Sequence, residues 1–173
     1  MILLDADVIV KSEQWHEEAE IEDIIEKLCS TIIPLTSLGE LSSDELNVEI
    51  SISLVCDSQM RQINSEFRDK DKTTNVLSFP SIDENLIRKD GIKATLGDVD
   101  YVFLGDIVIA YETLKKESLA QNKKFCDHLT HLVVHSILHL LGHDHEDENM
   151  AKEMESLEIK ILQQMGITNP YIK

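Results

Sequence analysis

The segment His135-Ser-Ile-Leu-His-Leu-Leu-Gly-His-Asp-His145 decides how this chain of 173 residues is interpreted, because it places four histidines within eleven residues. His135 and His139 lie four residues apart in a run, from about 124 to 141, that lacks proline and glycine and has apolar residues at helical spacing. Both imidazoles therefore lie on one face of a predicted helix. Gly142 can adopt a positive φ, which ends the helix and lets His145 return toward the first two rings.

This pattern of histidines is typical of a zinc site. Three neutral imidazoles with an open fourth position are the usual protein ligands of a catalytic zinc, whereas a structural zinc is normally closed by four protein ligands, often cysteines. We therefore predict one Zn²⁺ per chain, held by His135, His139 and His145. His143 is the rival third ligand, but it follows the glycine by a single residue, so we prefer His145. His128 and His131, on the same helix, are interpreted as core or surface residues.

Composition limits the class of protein. The length suits a single domain, assigned to residues 1–173, with 42% hydrophobic and 28% charged residues. No run of eighteen apolar residues occurs, and the N-terminus carries acids where a secretory signal would carry basic residues, so we expect neither a membrane span nor an export signal. The cysteines are odd in number and widely spaced, which predicts no disulfide framework and fits a reducing cytoplasm.

The charge distribution bears on possible partners. A net charge of −17 by itself argues against a nucleic-acid partner. Positive charge is nevertheless concentrated in two clusters, which are Arg61, Arg68, Lys70 and Lys72, and Lys115, Lys116, Lys123 and Lys124. A solvated helix face and a binding surface both stay open as interpretations of these clusters.

Hydrophobic periodicity predicts the strands. They are Ile2–Val10, Leu46–Val55, Asn75–Phe79 and Val102–Ile109. Pro80 is expected to stop the third strand, and Gly105 to mark a bulge or a close backbone contact in the fourth.

Amphipathic patterns predict the helices. They cover about residues 13–33, 57–67, 111–120, 124–141 and 147–165, and Asp57 or Ser58 is expected to cap the second. Residues 81–100 are polar and contain two glycines, which predicts a mobile loop. The fold class that follows is α+β, a single domain with one mixed sheet of about four strands packed with helices, and the metal site lies at the end of the histidine-bearing helix.

The metal predicts a reaction class. A three-histidine zinc lowers the pKa of bound water toward neutrality and polarises a carbonyl or phosphoryl oxygen, so hydrolysis is expected. The spacing HxxxHxxGxxH also occurs in one group of zinc proteases, in which a glutamate directly after the first histidine is the general base. Ser136 occupies that position here, so peptide hydrolysis lacks its usual proton acceptor. A metalloprotease is therefore the second hypothesis.

Three segments together resemble the YbeY family of endoribonucleases, also described as rRNA maturation factors. The segment 135–145 resembles the metal motif of that family, Phe67–Pro80 its second motif and Leu104–Ile109 its third. Their order and separation match as well, so the resemblance covers roughly residues 45–165. Ser136 stands where a glycine is common and His143 where a tyrosine is common, and neither change removes a ligand.

The resemblance implies a zinc-dependent endoribonuclease that cuts single-stranded RNA. It would act in maturation of small-subunit rRNA and in ribosome quality control, in the cytoplasm, with an rRNA precursor and the small ribosomal subunit as partners and neither DNA nor a membrane. His135, His139 and His145 are then the metal ligands. A single strand needs little basic surface outside one groove, which reconciles an RNA substrate with the net charge of −17.

The resemblance also implies a role for Arg68, which matches an arginine implicated in activity. Its guanidinium would hold a phosphate by two hydrogen bonds while charge builds in the transition state. From the sequence alone, Arg68 would be a surface residue paired with Asp69 or Asp71.

A ribosome assembly factor whose metal is mainly structural is the third hypothesis.

Overall fold

The computed structural model describes residues 1–41 and 45–172 of the chain and is centred on one four-stranded sheet. The strands are β1 (Ile2–Val10), β2 (Leu46–Val55), β3 (Val76–Pro80) and β4 (Tyr101–Ala110). Their order in the sheet is β1-β2-β4-β3; β2 runs parallel to both β1 and β4, whereas β3 runs antiparallel to β4 at the edge. The predicted α+β class with one mixed sheet is confirmed.

Six α-helices surround the sheet within these described residues. They are α1 (Ile21–Ile32), α2 (Asp57–Arg68), α3 (Glu84–Leu96), α4 (Tyr111–Ala120), α5 (Phe125–Leu140) and α6 (Glu148–Gln164). In the described part of the chain, none of them combines the length and apolar character needed to cross a membrane. The predicted domain also includes residues 42–44 and 173, which lie outside the described residues.

Helix α5 is the central helix of the fold. Ten of its sixteen residues are buried, and its apolar side belongs to one large core with β2, β4 and α1. On the other side of the sheet, Met60 of α2 packs with Val55, Leu77 and Val108. The half-buried positions of α5 include Asp127, His131, His135 and His139, which recur every four residues. One stripe of α5 therefore faces outward, and it carries histidines.

Gly105 of β4 lies close to both β3 and α5, and the predicted bulge is confirmed there. The pairing of β2 with β4 shifts register between Glu49 and Ser51, and Gly105 has a φ of 138°. A Cβ at this position would lie 2.2 Å from the carbonyl oxygen of Phe79 and 3.1 Å from the Leu140 side chain. Only glycine fits, because both the backbone angle and the contact exclude a larger residue.

The helix predicted from 13 to 33 is wrong in its first half. A short 3₁₀ turn, Glu13–Glu17, is followed by Glu20 with a left-handed φ of 56°, and the α-helix starts only at Ile21. Trp15 explains the break, because its side chain is fully buried and its Nε1 donates to the carbonyl oxygen of Val55 at 2.9 Å. That contact ties the turn to the end of β2 and overrides the helical period.

The mobile loop predicted over residues 81–100 is also wrong, because most of it is helix α3. Asp83 caps the helix by accepting from the backbone N–H groups of Asn85 and Leu86. Ile87 and Ile92 are buried, and Gly91, with a φ of 80°, kinks the helix between them. The polar composition of this segment led to the prediction of a loop, but burial of Ile87 and Ile92 is enough to hold the helix against the core.

Two predicted boundaries differ in detail. The N-cap of α2 is Cys56, whereas Asp57 is the first helical residue and its carboxylate accepts from the hydroxyl of Thr113 at 2.8 Å. Ser58 is likewise inside the helix. Strand β3 begins at Val76 and includes Pro80 as its last residue, which an edge strand tolerates.

Candidate metal centre

Helix α5 and the turn after it bring three histidines together. His135 and His139 project from successive turns of α5. Gly142 follows the helix with a φ of 91°, and the N–H of His143 bonds back to the carbonyl oxygen of Leu138 at 3.0 Å. The chain thereby reverses, as predicted, and His145 approaches the two rings on the helix.

The three imidazoles have the spacing that one small cation requires. One ring nitrogen of each of His135, His139 and His145 lies within 4.8 Å of the others. The Nε2 atoms of His135 and His139 are 3.1 Å apart. Two nitrogens that bind a tetrahedral zinc at about 2.0–2.1 Å lie about 3.3 Å from each other, so these nitrogens fit a shared zinc ion. His145, rather than His143, completes this group of described residues.

A buried carboxylate orients the first of these rings. Glu158 of α6 has a fully buried side chain, and it lies 2.5 Å from Nδ1 of His135. It also accepts from Nε2 of His131 at 3.0 Å and from the hydroxyl of Tyr171. Because Nδ1 of His135 donates to the carboxylate, the lone pair of Nε2 points toward the other two imidazoles. A carboxylate behind a histidine is the usual support of a metal ligand.

The electrostatics keep Glu158 charged and His139 neutral. Burial raises the pKa of the Glu158 carboxyl, but the hydrogen bonds from His131 and His135 outweigh it and bring the pKa to about 2. Burial and the neighbouring His135 and His145 lower the pKa of His139 to about 4. A neutral imidazole is the form that binds a metal, so His139 is in its metal-binding form at neutral pH.

The three rings open into a cleft that also contains Arg68. The cleft has a volume of about 430 Å³ and lies between α5 and the edge strand β3. We call it the metal cleft; its lining includes Arg68, Asn75, Ser78, Glu84, His135, His139, Asp144 and His145. Arg68 is the last residue of α2, and Asp69 with a left-handed φ of 59° then turns the chain toward β3. The structure thus brings together all four residues that the sequence singled out.

The ion pairing of the basic clusters bears on Arg68. Asp71, one of its two expected partners, instead forms a two-pronged ion pair with Arg61, at 2.7 and 3.0 Å. Within residues 1–41 and 45–172, Arg68 has no carboxylate within 4.0 Å. In the second cluster, Lys115 pairs with Glu17 at 3.3 Å. Arg61 and Lys115 are therefore surface ion pairs, whereas Arg68 is a cation available to a ligand.

The two remaining histidines of α5 are held by carboxylates, in line with the prediction that they are core or surface residues. His128 is buried, and its Nε2 lies 2.7 Å from Glu117. His131 is half-buried and bonds to Glu158. Neither belongs to the metal-binding group.

Sequence reasoning missed the residues that support the site. Glu158 lies among Met154, Ile161 and Leu162 on the buried face of α6, and a charged residue at such a position was a signal that could have found it. Tyr171 gave no comparable signal. Glu84 and Asp144 also line the metal cleft, and Arg88 links them at 3.4 and 4.0 Å.

Comparison with known proteins gives consistent matches over nearly the whole chain. The family profile described as Endoribonuclease YbeY matches residues 9–166. The Endoribonuclease YbeY of Agrobacterium fabrum is 42% identical over 172 residues, 99% of this chain and 96% of that protein. The protein of the same name from Bartonella quintana is 41% identical over 169 residues, 98% of each chain. A solution structure of a Thermotoga maritima protein superposes with a TM-score of 0.54, at 20% identity over 98% of this chain and all of that one, which supports the fold.

The contact between Glu158 and His135 predicts a loss of metal affinity in Glu158→Gln. An amide cannot accept hydrogen bonds from both histidines, so His135 loses its fixed orientation and part of its basicity. We expect zinc affinity to fall about 10- to 100-fold. Competitive titration with a chromophoric chelator measures it.

Glu155→Gln is the matched control, because it removes the same charge from an exposed position of α6. Equal zinc affinity in Glu158→Gln and Glu155→Gln, with both proteins folded by circular dichroism, would contradict the role given to Glu158.

Proposed function

The chain belongs to the YbeY endoribonuclease family, and on that premise we propose that it is a metal-dependent endoribonuclease that hydrolyses single-stranded RNA. The observation that carries the proposal is the meeting in a single cleft of three imidazoles and one guanidinium that has no ion pair among the described residues. His135, His139 and His145 would hold one zinc ion. Residues 1–173 would form one catalytic domain.

The donor set favours chemistry at an open site. Three nitrogen ligands leave a coordination position for substrate or water, as catalytic zinc sites do. When bound, the metal supplies a Lewis acid that polarises a phosphoryl oxygen. The protein supplies the geometry, because Glu158 fixes His135 and the turn at Gly142 fixes the approach of His145.

Arg68 is proposed to bind the phosphate that reacts. Its guanidinium can make two parallel hydrogen bonds to phosphate oxygens, and it lines the same cleft as the three histidines. As negative charge grows on the phosphate in the transition state, a fixed cation stabilises it more than it stabilises the ground state. The carboxylates of Glu84 and Asp144, at the rim of this cleft, are candidate proton acceptors.

The proposed substrate is an rRNA precursor, and the proposed setting is small-subunit maturation and ribosome quality control in the cytoplasm. The YbeY family supports this setting. The shape of the site supports a single strand, because a cleft of about 430 Å³ on a strongly acidic protein can contact one strand locally.

Two other functions have less support. A protease of this spacing needs a glutamate where Ser136 stands, and Ser136 is fully buried with its hydroxyl donating to the carbonyl oxygen of Leu132 at 2.7 Å. It therefore faces the helix rather than the cleft. An assembly factor with a structural metal would need the metal for folding, whereas α5 is held by an apolar core and by Glu158.

Substrate class is tested by parallel cleavage assays. We expect single-stranded RNA to be cut and casein to remain intact, and chelation should stop cleavage while leaving the thermal melt largely unchanged. His139→Ala, purified identically, controls for contaminating nuclease. Equal RNA cleavage by that variant, or turnover of casein, would exclude the proposal.

Arg68 is tested by single-turnover RNA cleavage. Arg68→Ala should lose roughly two to four kcal/mol of transition-state stabilisation, and Arg68→Lys should lose much of it too, because an ammonium cannot make the planar two-pronged contact. Arg61→Ala, on the same helix but outside the metal cleft, should cleave like wild type. Zinc content and melting temperature should stay the same in all three. A wild-type rate of RNA cleavage in Arg68→Ala would show that Arg68 is a surface residue without a role in the reaction.

A further inference from the structure

A second cleft adjoins the metal cleft along α5. It has a volume of about 360 Å³, and it shares Asn75, Val76 and His135 with the metal cleft. We call it the tyrosine cleft; its other lining residues include Glu117, Gln121, Lys123, His128, His131 and Tyr171. The two clefts therefore adjoin at the start of β3 and at His135 of α5.

The two clefts lie along one stripe of α5. His131, His135 and His139 succeed each other at four-residue spacing, so they share a face of the helix. His131 is eight residues from His139, a distance of about 12 Å along the helix axis. A strand bound at the metal cleft and running along this face of α5 would therefore reach the tyrosine cleft.

One wall of the tyrosine cleft is an aromatic ring held in place. The hydroxyl of Tyr171 donates to Glu158, and its ring lies edge-on to His131 with centroids 5.5 Å apart. Tyr171 is nevertheless 44% exposed. A ring that is anchored at its hydroxyl, partly exposed and part of the cleft wall is suited to stack with a nucleobase.

The polar wall favours a base over a phosphate. Glu117 is held by Nδ2 of Asn75 at 3.1 Å and by His128, and this carboxylate would repel a phosphate but accept from an amino group. In the described residues the side-chain amide of Gln121 has no hydrogen-bond partner. Lys123 donates to the carbonyl oxygen of Pro170 at 3.4 Å, which leaves its charge at the rim for a backbone phosphate.

We propose that the tyrosine cleft binds the base of the nucleotide next to the scissile phosphate, by stacking on Tyr171 and by polar contacts with Gln121. This inference rests on the proposed function, because it places the neighbouring nucleotide of the same RNA. Lys123, which lines the tyrosine cleft but not the metal cleft, contacts the phosphate on the other side of that nucleotide, away from Arg68.

The test combines protein variants with modified RNA, using the zinc-loaded protein and fluorescence anisotropy at low temperature. A set of single-stranded oligoribonucleotides carries one abasic residue at each position in turn. For wild type, an abasic residue next to the mapped cleavage site should weaken binding about tenfold, and abasic residues elsewhere should have less effect. Tyr171→Leu should bind the intact RNA about tenfold more weakly than wild type does. The abasic residue next to the cleavage site should then cause no further loss of affinity.

Three further variants test the parts of the proposed site separately: one tests the aromatic ring, and two compare a lysine in the cleft with a lysine outside it. Tyr171→Phe keeps the ring and loses only its bond to Glu158, so it should bind intact RNA more tightly than Tyr171→Leu does, and the abasic residue should still weaken its binding. Lys123→Ala should weaken RNA binding several-fold, whereas Lys116→Ala, an exposed lysine of α4 outside the cleft, should not.

These outcomes separate failure of the tyrosine cleft as a base-binding site from failure of the proposed endoribonuclease function. If wild type cuts RNA but the abasic residue and Tyr171→Leu weaken binding independently, the tyrosine cleft does not hold a base and the proposed function stands. If wild type neither binds nor cuts RNA, both fail. Equal losses of RNA affinity in Lys123→Ala and Lys116→Ala would likewise exclude the tyrosine cleft as part of the RNA-binding site.

Discussion

The burial of one carboxylate, that of Glu158, is the interaction on which the site depends. A charged group without contact to water costs several kcal/mol unless its partners satisfy it. Here the partners are His131, His135 and Tyr171, so the same bonds that make burial tolerable also orient a proposed metal ligand. Stability and site geometry are therefore coupled. Helix α6 cannot shift without disturbing His135.

The wall of the metal cleft that is formed by β3 depends on the close approach of α5 to the sheet. Gly105 lets the backbone of β4 lie close to both the carbonyl oxygen of Phe79 in β3 and the side chain of Leu140 in α5. As a result the edge strand β3 and the end of α5 form facing walls, with Arg68 delivered by the turn before β3. A side chain at position 105 would collide with the carbonyl oxygen of Phe79, so β3 could not keep its position beside β4.

The part of this structure that the sequence predicts is the part encoded locally. Spacing and a helix-ending glycine placed His135, His139 and His145 together, because these features act within a few turns of one helix. The position of Arg68 came from resemblance to a family, since 67 residues separate it from His135 and no local pattern relates them. Glu158 and Tyr171 escaped prediction because their role arises only when α6 and the C-terminal segment pack on α5. The errors at Trp15 and in α3 have the same origin, since a long-range contact overrode the local pattern in one case and two buried isoleucines were enough to form a helix in the other.

We propose that His135, His139 and His145 together hold one metal ion in an open site, and the chemistry inferred for the cleft depends on that ion. X-ray absorption at the zinc edge, on purified protein with its metal content measured, tests this most directly. We expect one zinc per chain with a shell of nitrogen and oxygen at about 2.0–2.1 Å, and we expect this zinc to be lost in His145→Ala and retained in His143→Ala. A sulfur scatterer at about 2.3 Å, or zinc retained in His145→Ala but lost in His143→Ala, would contradict it.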